Sequence, residues 1–132
     1  MIIDTSAFVA VLRREPAAQA VRSALRDHVG RSVLMSAATY LELGIVVDSR
    51  GDAVASRGLD DSLERFGVLL VPVDVEQARL ARQAYRDFGR GSGHPARLNV
   101  GDCFSYALAS VRREPLLFVG DDFTHTDVRS VL

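Results

Sequence analysis

Four acids on four elements could do chemistry together: Asp4 and Asp121 after apolar runs, Asp102 at a helix start, and Glu42 within a helical stretch. Asp4 closes the short apolar run Met1-Ile2-Ile3, and Asp121 follows Leu116-Leu117-Phe118-Val119-Gly120. A carboxylate at the carboxyl end of a strand lies on the edge of an α/β sheet where ligands and catalytic groups collect. Glu42 falls in or beside an apolar stripe of Ala38, Leu41, Ile45 and Val46, whose spacing is helical. Asp102 begins a helix just after Leu98-Asn99-Val100-Gly101. Carboxylates removed from water need partners, and no basic residue within these motifs supplies one. Gathered acids resist ionising together unless a cation intervenes. Oxygen donors without a thiolate or histidine cluster suit Mg²⁺ or Mn²⁺. Such an ion lowers the pKa of a bound water and neutralises phosphate charge, which is the chemistry of phosphodiester hydrolysis.

Each acid alone also has a structural explanation. Asp4 and Asp121 fit turn or cap positions after a strand. Glu42 at the edge of a stripe can reach water, and Asp102 near a helix start is favoured by capping and by the helix dipole. Only the set, four acids on four elements, favours a site.

The elements that must carry them alternate between strand and helix. Strand patterns cover Ile2 to Asp4, Val33 to Met35, Val68 to Val73 and Leu116 to Val119. Helical patterns cover a stretch opened by Thr5 and Ser6 and continued from Ala7 to Leu12, Ala17 to His28 with Pro16 in the first turn, Ala37 to Ser49 with Ser36 as N-cap, and Val75 to Phe88 capped by Asp74. A weaker helical stretch, Val54 to Phe66, contains Gly58, and a last helix runs from Asp102 to Arg113 ahead of Pro115. Gly89-Arg90-Gly91-Ser92-Gly93-His94-Pro95 is a flexible loop. This alternation implies a mainly parallel sheet with helices on both faces, in a single domain over residues 1–132.

Composition sets the boundaries. Apolar residues make up 48% and charged residues 25% of 132 residues, as in ordinary globular proteins. The apolar runs are far short of the ~20 residues of a membrane helix. Met1 runs directly into the first strand, which leaves no room for a signal peptide. With one cysteine, Cys103, an internal disulfide is excluded and the expected location is the cytoplasm. A net charge of −1 argues against a globally basic nucleic-acid binder but leaves room for a local basic groove. All sixteen basic residues are arginine, so chemistry that requires a lysine is excluded.

Met1-Ile2-Ile3-Asp4-Thr5-Ser6-Ala7, Ser36-Ala37-Ala38-Thr39-Tyr40-Leu41-Glu42-Leu43 and Leu98-Asn99-Val100-Gly101-Asp102-Cys103-Phe104-Ser105-Tyr106-Ala107 together resemble PIN-domain ribonucleases. The nearest branch is the VapC toxins of bacterial toxin–antitoxin pairs. Leu116-Leu117-Phe118-Val119-Gly120-Asp121-Asp122-Phe123 resembles that family's last strand and final acid, and the likeness spans essentially the whole chain in the right order.

The resemblance implies a three-layer α/β/α PIN-like fold and a Mg²⁺- or Mn²⁺-dependent endoribonuclease acting on structured transfer or ribosomal RNA. It casts Asp4, Glu42, Asp102 and Asp121 as metal ligands of the catalytic centre, with water attacking phosphorus to leave a 3′-hydroxyl and a 5′-phosphate. It gives Thr5 or Ser6 the task of orienting Asp4 or a metal-bound water, and makes Asn99 a supporting or substrate contact. The family pattern has one residue between its two late aspartates. Here Asp121 and Asp122 are adjacent, and Asp121, nearer the strand end, is favoured as the fourth acid. The resemblance further implies a homodimer held by a small VapB-type antitoxin, inhibition of translation and growth by the toxin, and no membrane association.

Arg90, His94 and Arg97 lie in or beside the glycine-rich loop ahead of Asp102 and form a candidate phosphate clamp; a solvated surface loop is the competing explanation. Two rivals compete with the nuclease reading. A phosphatase of the haloacid dehalogenase type needs a second aspartate where Ser6 stands and a catalytic lysine that is missing. A PIN-fold module that is catalytically weak and acts by partner binding ranks lower, because all four acids are present.

Overall fold

Ile2 and Ile3 are both fully buried, and side chains alternate across a strand, so a strand built on them must be covered on both faces. A computed structural model, which describes residues 1–28 and 30–132, shows that arrangement. Strands β1 (Ile2–Ile3), β2 (Val33–Ser36), β3 (Val68–Val71) and β4 (Leu116–Leu117) form a sheet in the order β3-β2-β1-β4. Every pairing among them is parallel; Ile2 stands level with Leu34 on one side and Leu116 on the other.

The helices are α1 (Thr5–Arg13), α2 (Ala18–Asp27), α3 (Ala37–Asp48), α4 (Ala53–Arg57), α5 (Leu59–Arg65), α6 (Val75–Phe88) and α7 (Val100–Arg112). Ile3 points into a core with Phe8, Val21, Met35, Leu43 and Leu63. Ile2 points the other way, into a core with Ala84, Leu98, Leu108, Leu116 and Phe118. Two cores divided by one sheet make the expected three-layer α/β/α fold. The outer edge of β4 is covered by the chain's last turn: Leu116 donates to the carbonyl of Arg129, and Val131 donates back to the carbonyl of Leu116.

Several boundaries differ from expectation, for local reasons. β1 ends at Ile3 because Asp4 is the N-cap of α1, its carboxylate accepting from the Ser6 amide. Helix α1 therefore starts at Thr5, where the hydroxyl pair Thr5-Ser6 opens it, and runs one residue past Leu12 to Arg13. The stretch from Val54 to Phe66 splits at Gly58 into α4 and α5. Helix α7 begins two residues before Asp102, capped by Asn99. Helix α2 begins two residues after Pro16.

The larger correction concerns α3. Its buried side chains are Thr39, Leu43 and Val47, while Leu41 and Ile45 are 62% and 60% exposed. Of the stripe expected from Ala38, Leu41, Ile45 and Val46, Leu41 and Ile45 face away from the core, while Val46 packs at its edge. This helix is apolar on nearly all sides, so periodicity alone could not choose its inner face.

Candidate active site

Asp4 sits at the carboxyl end of a central strand, 2% exposed, with both oxygens engaged. Its Oδ2 accepts from the Ser6 amide at 2.9 Å and from Ser6 Oγ at 2.6 Å. Its Oδ1 accepts from Ser105 Oγ at 2.6 Å. Ser6 Oγ in turn accepts from the Val119 amide at 3.2 Å, which ties the start of α1 to the segment after β4.

Glu42 approaches from α3. Thr5 Oγ1 donates to its Oε2 at 2.8 Å, so Thr5 holds Glu42 and Ser6 holds Asp4. Burial raises the Glu42 pKa, the Thr5 hydrogen bond opposes this, and the charge of Asp4 adds to the rise. The carboxylate lies against Gly101, where a β-carbon would overlap it.

Asp102 is 7% exposed on the first turn of α7. Its Oδ2 accepts from the Asn99 amide at 2.6 Å, and Asn99 Oδ1 accepts from the Asp102 amide at 2.9 Å. This reciprocal pair is a capping box, so Asn99 and Asp102 support the helix end and the site together. The pKa of Asp102 is pushed up to about 7, chiefly by burial. The Asn99 bond pulls it down, and the charges of Asp4, Asp122 and Glu42 push it up. Three helices and one strand thus bring the acids within electrostatic reach of one another.

Of the two late aspartates, Asp122 is the one whose charge acts on Asp102. Asp121 opens a turn instead: its carbonyl accepts from Thr124 Oγ1 at 2.6 Å and from the Thr124 amide at 3.1 Å. Both side chains are exposed.

The donor set fits a hard divalent cation. It consists of carboxylate oxygens, the charges reinforce one another's cost, and no arginine is paired with any of these acids among the described residues. The described acids are neighbours rather than a finished cage, since no three such side chains close on a common point.

The glycine-rich loop is tied at its base, where the Leu98 amide donates to the Phe88 carbonyl and the Arg90 amide to the Leu98 carbonyl. Arg90 and Arg97 are exposed. His94 is used locally: its Nδ1 accepts from the Ala96 amide at 3.3 Å, and its ring packs edge-on against Phe88. Of the three candidate phosphate contacts, the two arginines remain directed to solvent.

Ser105, Thr39 and Gly101 were not singled out by their sequence context. The legible signal was spacing. Ser105 lies three residues after Asp102, and Thr39 three residues before Glu42, so each shares a helix face with an acid.

Comparison with known proteins agrees with this architecture. Residues 1–129 match the PIN domain family. The chain is 58% identical to Ribonuclease VapC28 of Mycobacterium tuberculosis over 132 residues, covering 100% of this chain and 98% of that protein. It is 52% identical to Ribonuclease VapC of Mycolicibacterium smegmatis over 131 residues, covering 99% of each. Among solved structures, the fold is similar to Mycobacterium tuberculosis VapC20, described as a sarcin–ricin loop cleaving toxin. That match has a TM-score of 0.73 at 17% identity and covers 98% of this chain and 97% of that one. It is also similar to FitAcB from Neisseria gonorrhoeae, with a TM-score of 0.70 at 22% identity over 98% of this chain and 94% of that one. The chain belongs to the PIN-domain family, among the VapC ribonucleases.

Proposed function

We propose that the chain is a Mg²⁺- or Mn²⁺-dependent endoribonuclease toxin that cleaves structured transfer or ribosomal RNA in the cytoplasm. The observation that carries this reading is the gathering of Asp4, Glu42, Asp102 and Asp122 within electrostatic reach, with no basic partner among the described residues. Asp4, Glu42 and Asp102 would hold the ion, with Asp122 taking the part first given to Asp121. When bound, the ion lowers the pKa of a coordinated water and neutralises charge developing on the phosphate.

The chain's own residues prepare that chemistry. Ser6 and Ser105 fix both oxygens of Asp4, Thr5 fixes Glu42, and Asn99 fixes Asp102. These bonds leave the second oxygen of Glu42 and of Asp102 for a ligand. Arg90 and Arg97 offer guanidinium groups to the RNA backbone beside the acids, and phosphate contacts of this kind supply most nucleic-acid affinity.

Two protein partners belong to the same reading, a second copy of the chain and a cognate VapB-type antitoxin. Leu41 and Ile45 on α3, with Leu69 and Leu70 on the edge strand β3, leave large apolar side chains in water. Large apolar side chains left exposed on these two elements are what an interface would cover, and we assign them to the homodimer. Support for an antitoxin comes from the fold, which is also similar to a toxin–antitoxin complex from Klebsiella pneumoniae at a TM-score of 0.70. No helix among the described residues is long and apolar enough to cross a membrane.

The test is cleavage of structured RNA by the purified chain with Mg²⁺ or Mn²⁺, together with growth arrest on expression that is relieved by co-expressing the neighbouring antitoxin gene. Intact RNA and normal growth would contradict the proposal.

A further inference from the structure

We infer that Ser105 and Thr39 are positioning residues for this reaction: a buried two-hydroxyl relay from α3 through α7 that fixes the carboxylate of Asp4. The inference rests on the metal-nuclease reading of the site and extends it to two residues with no assigned part. Thr39 and Ser105 are both fully buried, and their hydroxyl oxygens lie 3.0 Å apart. An ionised carboxylate only accepts hydrogen bonds, so Ser105 Oγ must donate to Asp4 Oδ1. That uses the one proton of Ser105, which must then accept from Thr39 Oγ1. The direction of every bond in the chain is therefore set, from Thr39 to Ser105 to Asp4.

The relay is more than local satisfaction of two hydroxyls. A helical threonine can turn its hydroxyl back to a carbonyl one turn earlier on its own helix, yet Thr39 bonds across to α7. Its backbone carbonyl also lies 3.4 Å from Thr5 Oγ1, the hydroxyl that holds Glu42. Thr39 therefore touches the supports of two acids, and Ser105 shares its helix face with a third, Asp102. Hydrogen-bond partners that orient a metal ligand typically matter by about 10–100-fold in metal affinity or activity. Without Ser105, Asp4 keeps its two Ser6 bonds on Oδ2 but loses the only donor to Oδ1 among the described residues, and Oδ1 is no longer held.

Isothermal titration calorimetry with Mn²⁺ on the full chain tests this, comparing wild type with Ser105→Ala, Thr39→Val and Thr39→Ser, with thermal unfolding recorded alongside. Ser105→Ala is expected to weaken Mn²⁺ binding about 10–100-fold, and Thr39→Val to weaken it less. Thr39→Ser, which keeps the hydroxyl, should bind like wild type. Unchanged Mn²⁺ binding by Ser105→Ala would overturn the relay. A loss in Thr39→Ser, which keeps the hydroxyl, as large as that in Thr39→Val would show that the hydroxyl does not decide binding and would overturn the part given to Thr39. If wild type itself binds no Mn²⁺, the metal reading fails, and a crystal structure of Ser105→Ala decides the relay. A rotated Asp4 carboxylate there supports it, and an unmoved one overturns it.

Discussion

The carboxylate of Glu42 occupies the space that a β-carbon on Gly101 would fill. The two residues lie on different helices, and the missing side chain of one creates the seat for the other. Alanine in a helix is favoured over glycine by about 0.8–1.0 kcal/mol, so Gly101→Ala should not unfold the protein. The displaced group is the end of a flexible side chain, which moves aside more readily than backbone. We therefore expect Gly101→Ala to keep or raise the melting temperature while RNA cleavage falls by at least about 10-fold. Parallel melting and cleavage measurements check this; full activity would mean that Glu42 need not sit where it does.

The acid cluster sets a pH dependence whose sign is fixed. Folded Asp102 holds its proton up to about 7, against an ordinary value of 3.8, mainly because it is buried. Between those values the folded state binds more protons than the unfolded state, so stability falls as pH rises through that window. In chelator, the melting temperature should decline from about pH 4 to 7 and level off above, and Asp102→Asn should remove most of the slope. Mn²⁺ binding needs the deprotonated acid, so its affinity should climb over the same interval and then flatten. Binding that does not vary with pH would contradict this.

Asp122, and not Asp121, places its charge on Asp102. Asp122→Asn should reduce cleavage by at least about 10-fold, with Asp121→Asn within about 3-fold of wild type. Initial rates at saturating Mn²⁺ separate the two, and the reverse order would restore Asp121 as the fourth acid.

These two aspartates also show where the sequence stops informing. Strand-end placement located the pair, but which of the two exposed carboxylates acts on Asp102 depends on the path taken after Gly120, whose φ is +106°. Helix α3 teaches the same lesson. Its apolar residues announced a helix, yet the inner face went to Thr39, Leu43 and Val47 instead of Leu41 and Ile45. Asp4 and Asp102 stand at a strand end and a helix start, local features that the sequence displays, whereas Glu42 lies in the middle of α3. Ser105 lies 101 residues from Asp4, and contacts across that separation are written only in the packing.

The exposed residues of α3 carry their own expectation. Replacing Leu41 and Ile45 together with aspartate should halve the mass measured by sedimentation equilibrium. Such surface changes usually alter stability by no more than about 0.5 kcal/mol, so the monomer should remain folded. A persistent dimer would place the interface elsewhere, and a wild-type monomer would refute the dimer.

The most direct test of the central claim is cleavage of structured RNA by the purified chain in Mn²⁺, in EDTA, and with Asp4→Asn. Asparagine preserves the size of the side chain while removing its charge. The account predicts cleavage in Mn²⁺, none in EDTA, and a loss of at least about 100-fold for Asp4→Asn. Cleavage that survives EDTA, or an Asp4→Asn variant as active as wild type, would contradict it.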